Sequence, residues 1–383
     1  MNIGFGNRRH EVTNLLLFGD ANSRACIASI RALKGKNCRI HIAVQGGGLS
    51  WMYRVLPYAY YWLTRKVRVF SYSSTTEACF LASLDSLRRL IGAFSVLPMG
   101  ESLVRTMLKN HEKLSKKGIF LISPAITYNE YCQLSNKESF CRLCESYGIA
   151  APKIIKMPSR FAQSYLCKPK EYGVHKTVLT APMLVRNGAE HDCLINSEID
   201  FNRHFFQEYI EGESYYYCAL FRKGAKQLHF SQKNLIQQPK GKSIIKAIPY
   251  DLDAGVIDKI DSMMRGISYD GVMMFELRKT NNTGQFVAIE CNPRLWGPLQ
   301  LPLDNNVNFV TGLVFGKFDE PAERYKYGYV WSGGLPIFKN SFDQYGYQVW
   351  VGGANGLRFL DIWKRFDTLI YYLIDRIHGL IKK

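Results

Sequence analysis

The residues best suited to chemistry fall in one stretch, Gly271–Lys279 followed by Phe286–Asn292, where Glu276, Glu290 and Asn292 stand among apolar neighbours. Two β-rich runs joined by a polar, Gly-containing turn read as an antiparallel hairpin. Side chains alternate along a strand, so Glu290 and Asn292 project from one face. With Asn282–Gly284 as a three-residue loop, Glu276 lies directly across from Glu290 and the Cβ atoms approach to about 5 Å. Two facing acids repel, which would weaken a purely structural hairpin. A hard cation removes that cost, because Mg²⁺ takes oxygen from one or two carboxylates together with nucleotide phosphates. Glu290 is flanked by Ala288, Ile289 and Cys291 and followed by Asn292-Pro293-Arg294, a context closer to a site than to a solvated surface.

The elements that must hold this hairpin are legible on both sides of it. Residues 14–125 alternate short apolar runs with amphipathic segments. Strands are expected at 14–18, 38–44, 67–71, 94–98 and 119–123, and helices at 22–33, 76–91 and 101–116. Such alternation argues for a small, mainly parallel sheet with helices on both faces. Gln45-Gly46-Gly47-Gly48 matches neither dinucleotide nor P-loop spacing and reads as a turn. From about Thr127 the texture changes: a helix over 137–147 stops at Gly148, and strands are expected at 165–168, 177–179, 205–209, 214–221 and 227–230. A helix near 254–264 then precedes the hairpin strands at 271–279 and 285–292.

Ile289-Glu290-Cys291-Asn292-Pro293-Arg294-Leu295-Trp296-Gly297 resembles the E-x-NPR stretch of the ATP-grasp ligases. It is most similar to the branch of the carbamoyl-phosphate synthase large subunit and the carboxylate–amine ligases. In that family two acids and the Asn bind the Mg²⁺ ions (Mn²⁺ can substitute) bridging ATP phosphates, and the Arg faces an acyl-phosphate. The resemblance gives these roles to Glu276, Glu290, Asn292 and Arg294, with two ions implied. Upstream, Lys137 before Gly148–Pro152 and Lys168 in Leu166-Cys167-Lys168-Pro169 match the two phosphate-binding lysines, and Lys168 is counted with Arg294 as catalytic. Phe206–Glu213 resembles the linker that holds adenine through backbone groups, here Glu208, Tyr209 and Ile210, with Glu213 or Ser214 meeting the ribose. Pro239–Ser243 resembles a segment near the acyl acceptor, which implies substrate contacts for Gly241 and Ser243, and Lys233 precedes it where a basic residue is usual. The flap after Lys168 departs from the family: 170–176 holds a single Gly, so Lys170 or Lys176 would close it in place of backbone amides.

The resemblance implies a mixed α/β (α+β) chain. A Rossmann-like domain preceding ATP-grasp would occupy 1–125 and a two-lobed ATP-grasp domain 126–316, with a small lobe at about 150–212 and a catalytic lobe at about 213–316. Residues 317–383 would form a C-terminal appendage. The implied activity is an ADP-producing carboxylate–amine (or carboxylate–thiol) ligase acting through an acyl-phosphate on small-molecule substrates, with a cell-surface glycan precursor or an amino-acid-type compound as the substrate class. A nucleotide-binding protein without turnover and a membrane-surface scaffold are the alternatives. No Ser-His-Asp or Cys-His pattern competes, and of His175, His191, His204 and His229 only His229, near Lys233, is a candidate proton acceptor.

Composition sets the outer bounds. The 383 residues are 47% hydrophobic and 21% charged, enough to build cores and incompatible with disorder. Apolar runs fall short of the roughly 20 residues of a spanning helix, and MNIGFGNRRHEV lacks a secretory signal's apolar core, so a soluble, cytoplasmic protein is expected. A net charge of +18 favours anionic partners, but no zinc-finger, RNA-binding or basic-zipper spacing accompanies it, so no specific nucleic acid is expected. Ten scattered Cys read as buried free thiols, and Cys141-x-x-Cys144 lacks a second pair for zinc. Phe359, Ile362, Phe366, Ile370, Leu373 and Ile377 recur at helical spacing among Lys and Arg. That C-terminal helix either packs on the protein itself or a second subunit, making an oligomer possible, or lies on the inner face of an anionic membrane.

Overall fold

The computed structural model describes residues 14–46, 48–74, 76–170, 179, 182–238, 243–318, 324–331 and 356–381. Its first unit is a five-stranded parallel sheet of β1 (Asn14–Phe18), β2 (Arg39–Gln45), β3 (Val67–Tyr72), β4 (Phe94–Val96) and β5 (Ile119–Leu121), in the order β3-β2-β1-β4-β5. Helices α1 (Ser23–Ala32), α2 (Gly48–Val55), α3 (Ala59–Leu63), α4 (Glu77–Ile91), α5 (Glu101–Lys109) and α6 (His111–Lys116) connect and flank these strands. Leu15, Leu16, Leu17 and Phe18 are all fully buried, as a central parallel strand covered on both faces must be. Helix α2 begins at Gly48, the last residue of the stretch that reads as a turn in the sequence. The helix expected over 101–116 breaks at Asn110, whose amide donates to the Thr106 carbonyl at 2.9 Å and to Glu77 at 3.0 Å. An Asn side chain that binds nearby backbone competes with helix propagation.

Helices α7 (Tyr128–Ser135) and α8 (Lys137–Ser146) lead into a four-stranded antiparallel sheet of β6 (Ile154–Ile155), β7 (Tyr165–Pro169), β8 (Met183–Val185) and β9 (His204–Glu208), with α9 (Gly188–Ile195) between β8 and β9. Of the strand expected at 177–179 only Leu179 is described, and it joins no strand; its N–H donates to His204 Nε2 at 3.1 Å.

The remaining strands, β10 (Gly212–Arg222), β11 (Ala225–Gln237), β12 (Ile244–Pro249), β13 (Gly271–Thr280), β14 (Phe286–Asn292), β15 (Tyr327–Val330) and β16 (Arg358–Asp361), form one sheet in the order β14-β13-β10-β11-β12-β15-β16. It is antiparallel except for the parallel β15–β16 pair. Strand β11 runs well beyond the expected 227–230. Strands β15 and β16, both beyond residue 316, extend this large sheet at its β12 edge.

Alternation along β10 divides this sheet between two cores. Tyr215, Tyr217, Ala219 and Phe221 pack towards α8 and α10 (Ala254–Gly266), whereas Tyr216, Cys218 and Leu220 share a cluster with α1 and with α12 (Phe309–Phe315). Short α11 (Gln300–Asp304) and terminal α13 (Leu369–Ile381) complete the helices considered below. The second cluster joins the N-terminal unit to the sheet. Arg24 of α1 donates to the Ile244 carbonyl at 3.1 Å and to the Tyr329 hydroxyl at 3.0 Å, and its guanidinium stacks 3.9 Å from the Trp331 ring.

Candidate active site

Glu276 of β13 faces Glu290 of β14, but the register is reached differently from expectation. Thr280 N–H bonds the Gln285 carbonyl at 2.9 Å, so the loop is Asn281–Gly284, one residue longer than anticipated. Leu277 then faces Ala288, and Ile289 is the extra residue of a β-bulge that restores Glu276 to Glu290. Bulges commonly re-aim side chains at functional sites, and this one turns Glu290 back onto the face of Glu276. The same cross-strand row continues through Tyr216 to Gln232.

Two lysines converge on the acid pair from the elements around it. Asn136 caps α8 by accepting from the N–H groups of Glu138 and Ser139, which fixes Lys137 at the first helical position. Lys137 Nζ lies 3.6 Å from Glu290 Oε2. Lys168 projects from β7, is buried, and donates to Gln207 Oε1 on β9 at 2.6 Å. Gln207 in turn reaches Cys141 Sγ at 3.2 Å, so the Cys141–Cys144 pair is packed into α8 beneath the site. Asn292 donates to Glu290 Oε1 at 2.8 Å and accepts from Arg294 at 2.9 Å, while Arg294 also donates to the Leu295 carbonyl at 3.1 Å.

Electrostatics follow from this crowding. Burial, reinforced by Lys137, pushes Lys168 down from 10.5 to about 8 against the pull of both carboxylates. Burial and the neighbouring Glu290 raise Glu276 above the ordinary carboxylate range. Burial works against ionised Glu290 too, but Lys137, the Asn292 hydrogen bond, Lys168 and Arg294 together hold it below its ordinary value. The site thus carries one firmly ionised acid beside one that resists ionisation.

A cation fits this donor set. Among the described residues no three His, Cys, Asp or Glu side chains converge, so protein ligands would be the Glu276 and Glu290 carboxylates and the Asn292 amide oxygen. Few protein oxygens with the rest from phosphate and water is the pattern Mg²⁺ favours. Asn292 would first release Arg294, whose Nε is buried and unpartnered and so could turn to a ligand oxygen.

The other sequence candidates divide. Glu208 accepts from Lys153 N–H at 2.9 Å, and Glu208 N–H returns a bond to the Lys153 carbonyl at 3.0 Å. Glu208 and Tyr209, with Gln163, Ser164, Arg186 and Glu211, line an open cleft of about 450 Å³ beside half-buried Ile210. Glu213 is held by Lys233 at 2.5 Å and by the Tyr215 hydroxyl at 2.7 Å. By strand alternation Glu213, Lys233 and His229 occupy the face opposite Glu276, so neither Lys233 nor His229 joins the acid pair. Buried Ser214 does share that face; it accepts from Asn234 at 3.0 Å. The Ser243 carbonyl accepts from Gln238 N–H at 3.0 Å. Gly241, Lys176, His175 and most of the flap after Lys170 lie outside the described residues. His191 bonds Tyr165 and His204 bonds the Asp200 carbonyl, each at 2.7 Å, away from the acids.

Gln207, Gln232, Asn234 and Arg278 were missed. Gln232 and Asn234 interrupt the apolar alternation of Phe230 and Ile236, which is the signal that could have drawn attention to them. Gln232 Oε1 is buried without a partner in the row of Glu276. Asn234 and Arg278 line a cleft of about 330 Å³ with Gly212, Ser214 and Gln237.

No protein-family model and no curated protein matches the chain. Solved structures do. Pyruvate carboxylase from Rhizobium etli superposes with a TM-score of 0.59 at 15% identity, over 79% of this chain and 29% of that one. The biotin carboxylase domain of Hydrogenobacter thermophilus 2-oxoglutarate carboxylase, a dimer solved with MgADP, ADP and bicarbonate, gives 0.60 at 14% identity, over 83% and 74%. The L-amino acid ligase from Bacillus licheniformis gives 0.57 at 12% identity, over 80% and 75%. The parallel N-terminal sheet, the small antiparallel lobe and the large sheet bearing the acid pair, taken with this likeness, show that the chain has the ATP-grasp fold.

Proposed function

We propose that the protein is an ATP-dependent carboxylate–amine ligase, with a thiol as the alternative acceptor. The observation that carries this reading is the facing Glu276–Glu290 pair with Asn292 beside it and Lys137 and Lys168 directed onto it. Bound Mg²⁺, one ion or two (or Mn²⁺), would neutralise charge on the phosphates of ATP. Lys137 and Lys168 hold phosphate oxygens and orient the γ-phosphoryl group for in-line attack. A substrate carboxylate oxygen attacks the γ-phosphorus, the bond to the β-phosphate oxygen breaks, and ADP leaves. Arg294 then faces the acyl-phosphate, whose carbonyl carbon accepts the amine as phosphate departs. No side-chain nucleophile is needed.

Backbone groups of Glu208, Tyr209 and Ile210 receive the adenine, and Ser214, on the face of Glu276, meets the ribose in preference to Glu213 on the opposite face. Gly241 and Ser243 belong to the acceptor side. Lys233 serves to hold Glu213. The substrate class we favour is a carboxylate of a cell-surface glycan precursor or an amino-acid-type compound. Attachment to the inner face of a membrane through the C-terminal helix belongs to the same reading, because a lipid-linked acid would be met there.

The test is thermal unfolding with a non-hydrolysable ATP analogue, with and without Mg²⁺, on wild type and Glu290→Ala. A ligand at 100 times its Kd adds about 2.7 kcal/mol to native stability. The expected result is a Mg²⁺-dependent rise in Tm in wild type and none in the variant. A rise without phosphate release across carboxylate and amine pairs would leave a nucleotide-binding protein without turnover, and no rise would remove the ligase reading.

A further inference from the structure

Large apolar side chains are unevenly exposed. Ten of the sixteen exposed ones among the described residues fall in two segments, 52–63 and 366–377. These segments are distant in sequence and adjacent in space. The Tyr60 and Phe366 rings meet edge to face at 5.6 Å, and the Tyr61 hydroxyl bonds Asp367. Helix α13 is docked through its tyrosines: Tyr371 packs on Trp363 at 4.7 Å, and Tyr371 and Tyr372 lie against the core. Ile370, Leu373, Ile374 and Ile377, at i, i+3, i+4 and i+7, are left facing outward. Phe366, which meets Tyr60, is 80% exposed, and Leu63, one helical turn on from Tyr60 in α3, is 72% exposed. Isolated exposed apolar residues are ordinary, whereas a rimmed cluster of this kind marks an interaction surface.

The charge around the cluster selects its occupant. From Ala21 to Thr76 the chain carries nine Lys and Arg and no Asp or Glu. Lys66 lies 4.9 Å over the Tyr60 ring and Lys364 5.4 Å over the Tyr372 ring, so ammonium groups rim the apolar face. Asp367 beside it is neutralised by Arg31 at 2.6 Å. A two-fold contact with a second copy would bring this basic stretch against itself. An anionic bilayer surface is complementary to it in both charge and polarity. No described helix is long and apolar enough to cross a membrane, which leaves a surface-lying role for α13.

We propose that α3 and the outward face of α13 together form a docking surface for an anionic lipid bilayer. This extends the peripheral attachment proposed above and needs nothing of the ligase chemistry. A single apolar helix is replaced by two elements held at fixed spacing, with Leu63, Phe366 and Ile370 entering the headgroup region and Lys66 and Lys364 at the phosphates. Docked in this way, the protein would hold a fixed orientation on the membrane.

Co-sedimentation of the full chain with vesicles of phosphatidylcholine alone, or mixed with phosphatidylglycerol, tests the proposal. Binding is expected only to the mixed vesicles. Leu63→Ser combined with Ile370→Ser should lower it about ten-fold, and Lys66→Glu about five-fold. These side chains are exposed, so circular dichroism melts should be unchanged and separate lost docking from lost folding. Wild type that stays in the supernatant with both vesicles overturns the proposal. So does a wild-type dimer, found by light scattering, that Ile370→Ser dissociates while vesicles bind neither form. Vesicle binding that persists without a nucleotide-dependent rise in Tm would sustain the docking surface and count against the ligase reading alone.

Discussion

Lys168 shows how the candidate site trades stability for charge. Its ammonium is buried with one hydrogen bond, to Gln207, and burial lowers it to about 8 from 10.5. The folded-state value lies below the unfolded one, so between them the unfolded chain binds the extra proton. The penalty is therefore complete below about 8 and is relieved as pH rises towards 10.5. Lys168→Met removes this penalty but strands Gln207 Oε1 and loosens the hold on ionised Glu290, so the variant's stability relative to wild type should fall by about 2 kcal/mol as the pH rises from 7 towards 10. Urea melts of both proteins at the two pH values measure this, and an equal loss at both would contradict it. The same substitution should abolish the nucleotide-dependent rise in Tm, because the buried charge that burdens folding is the one a phosphate would use.

At the scale of elements, the join between the two lobes depends on one glycine. Gly212 opens β10 immediately after the 209–211 link, with φ of +156°. A Cβ there would sit 2.1 Å from the Lys279 carbonyl oxygen on β13. Arg278 donates to the Gly212 carbonyl at 2.9 Å, which ties the same point down from the other side. Gly212→Ala should cost about 2–3 kcal/mol. Hydrogen exchange should show amides at the start of β10 losing protection while β1 and β2 keep theirs. Uniform loss across the molecule would mean that strain at Gly212 is not local.

Across the whole molecule, Arg31 of α1 gathers the C-terminal segment. It bonds both Asp367 oxygens at 2.6 and 2.8 Å, Gln300 of α11 at 2.9 Å, and the Ile362 carbonyl and Thr368 hydroxyl at 3.1 Å each. Removing one partner of a part-buried pair strands the other charge. Arg31→Ala should therefore destabilise the protein by about 3 kcal/mol. Limited proteolysis should then cut between Ile362 and α13 well before the rest of the chain. Cleavage no faster than in wild type would show that Tyr61 and the packing of Tyr371 suffice to hold the segment.

Local chemistry made much of this protein legible in advance. The β1–β5 alternation, the facing of Glu276 and Glu290 and the alignment of Asn292 with Glu290 rest on period and pairing, which are properties of short segments. The bulge at Ile289 was not legible, because loop length and bulge offset one another and leave the same pair facing. Nor was the separation of Lys233 and His229 from the acids: a strand's face towards a site is set by the strands packed beside it, not by residue type. Gln207 gained a role only when β7 and β9 came together, and Tyr60 met Phe366 only when a helix near the start of the chain packed against the segment that leads into α13. The residues able to do chemistry were written in sequence; which of them share one face, and which apolar groups remain uncovered, depended on long-range burial that no local pattern encodes.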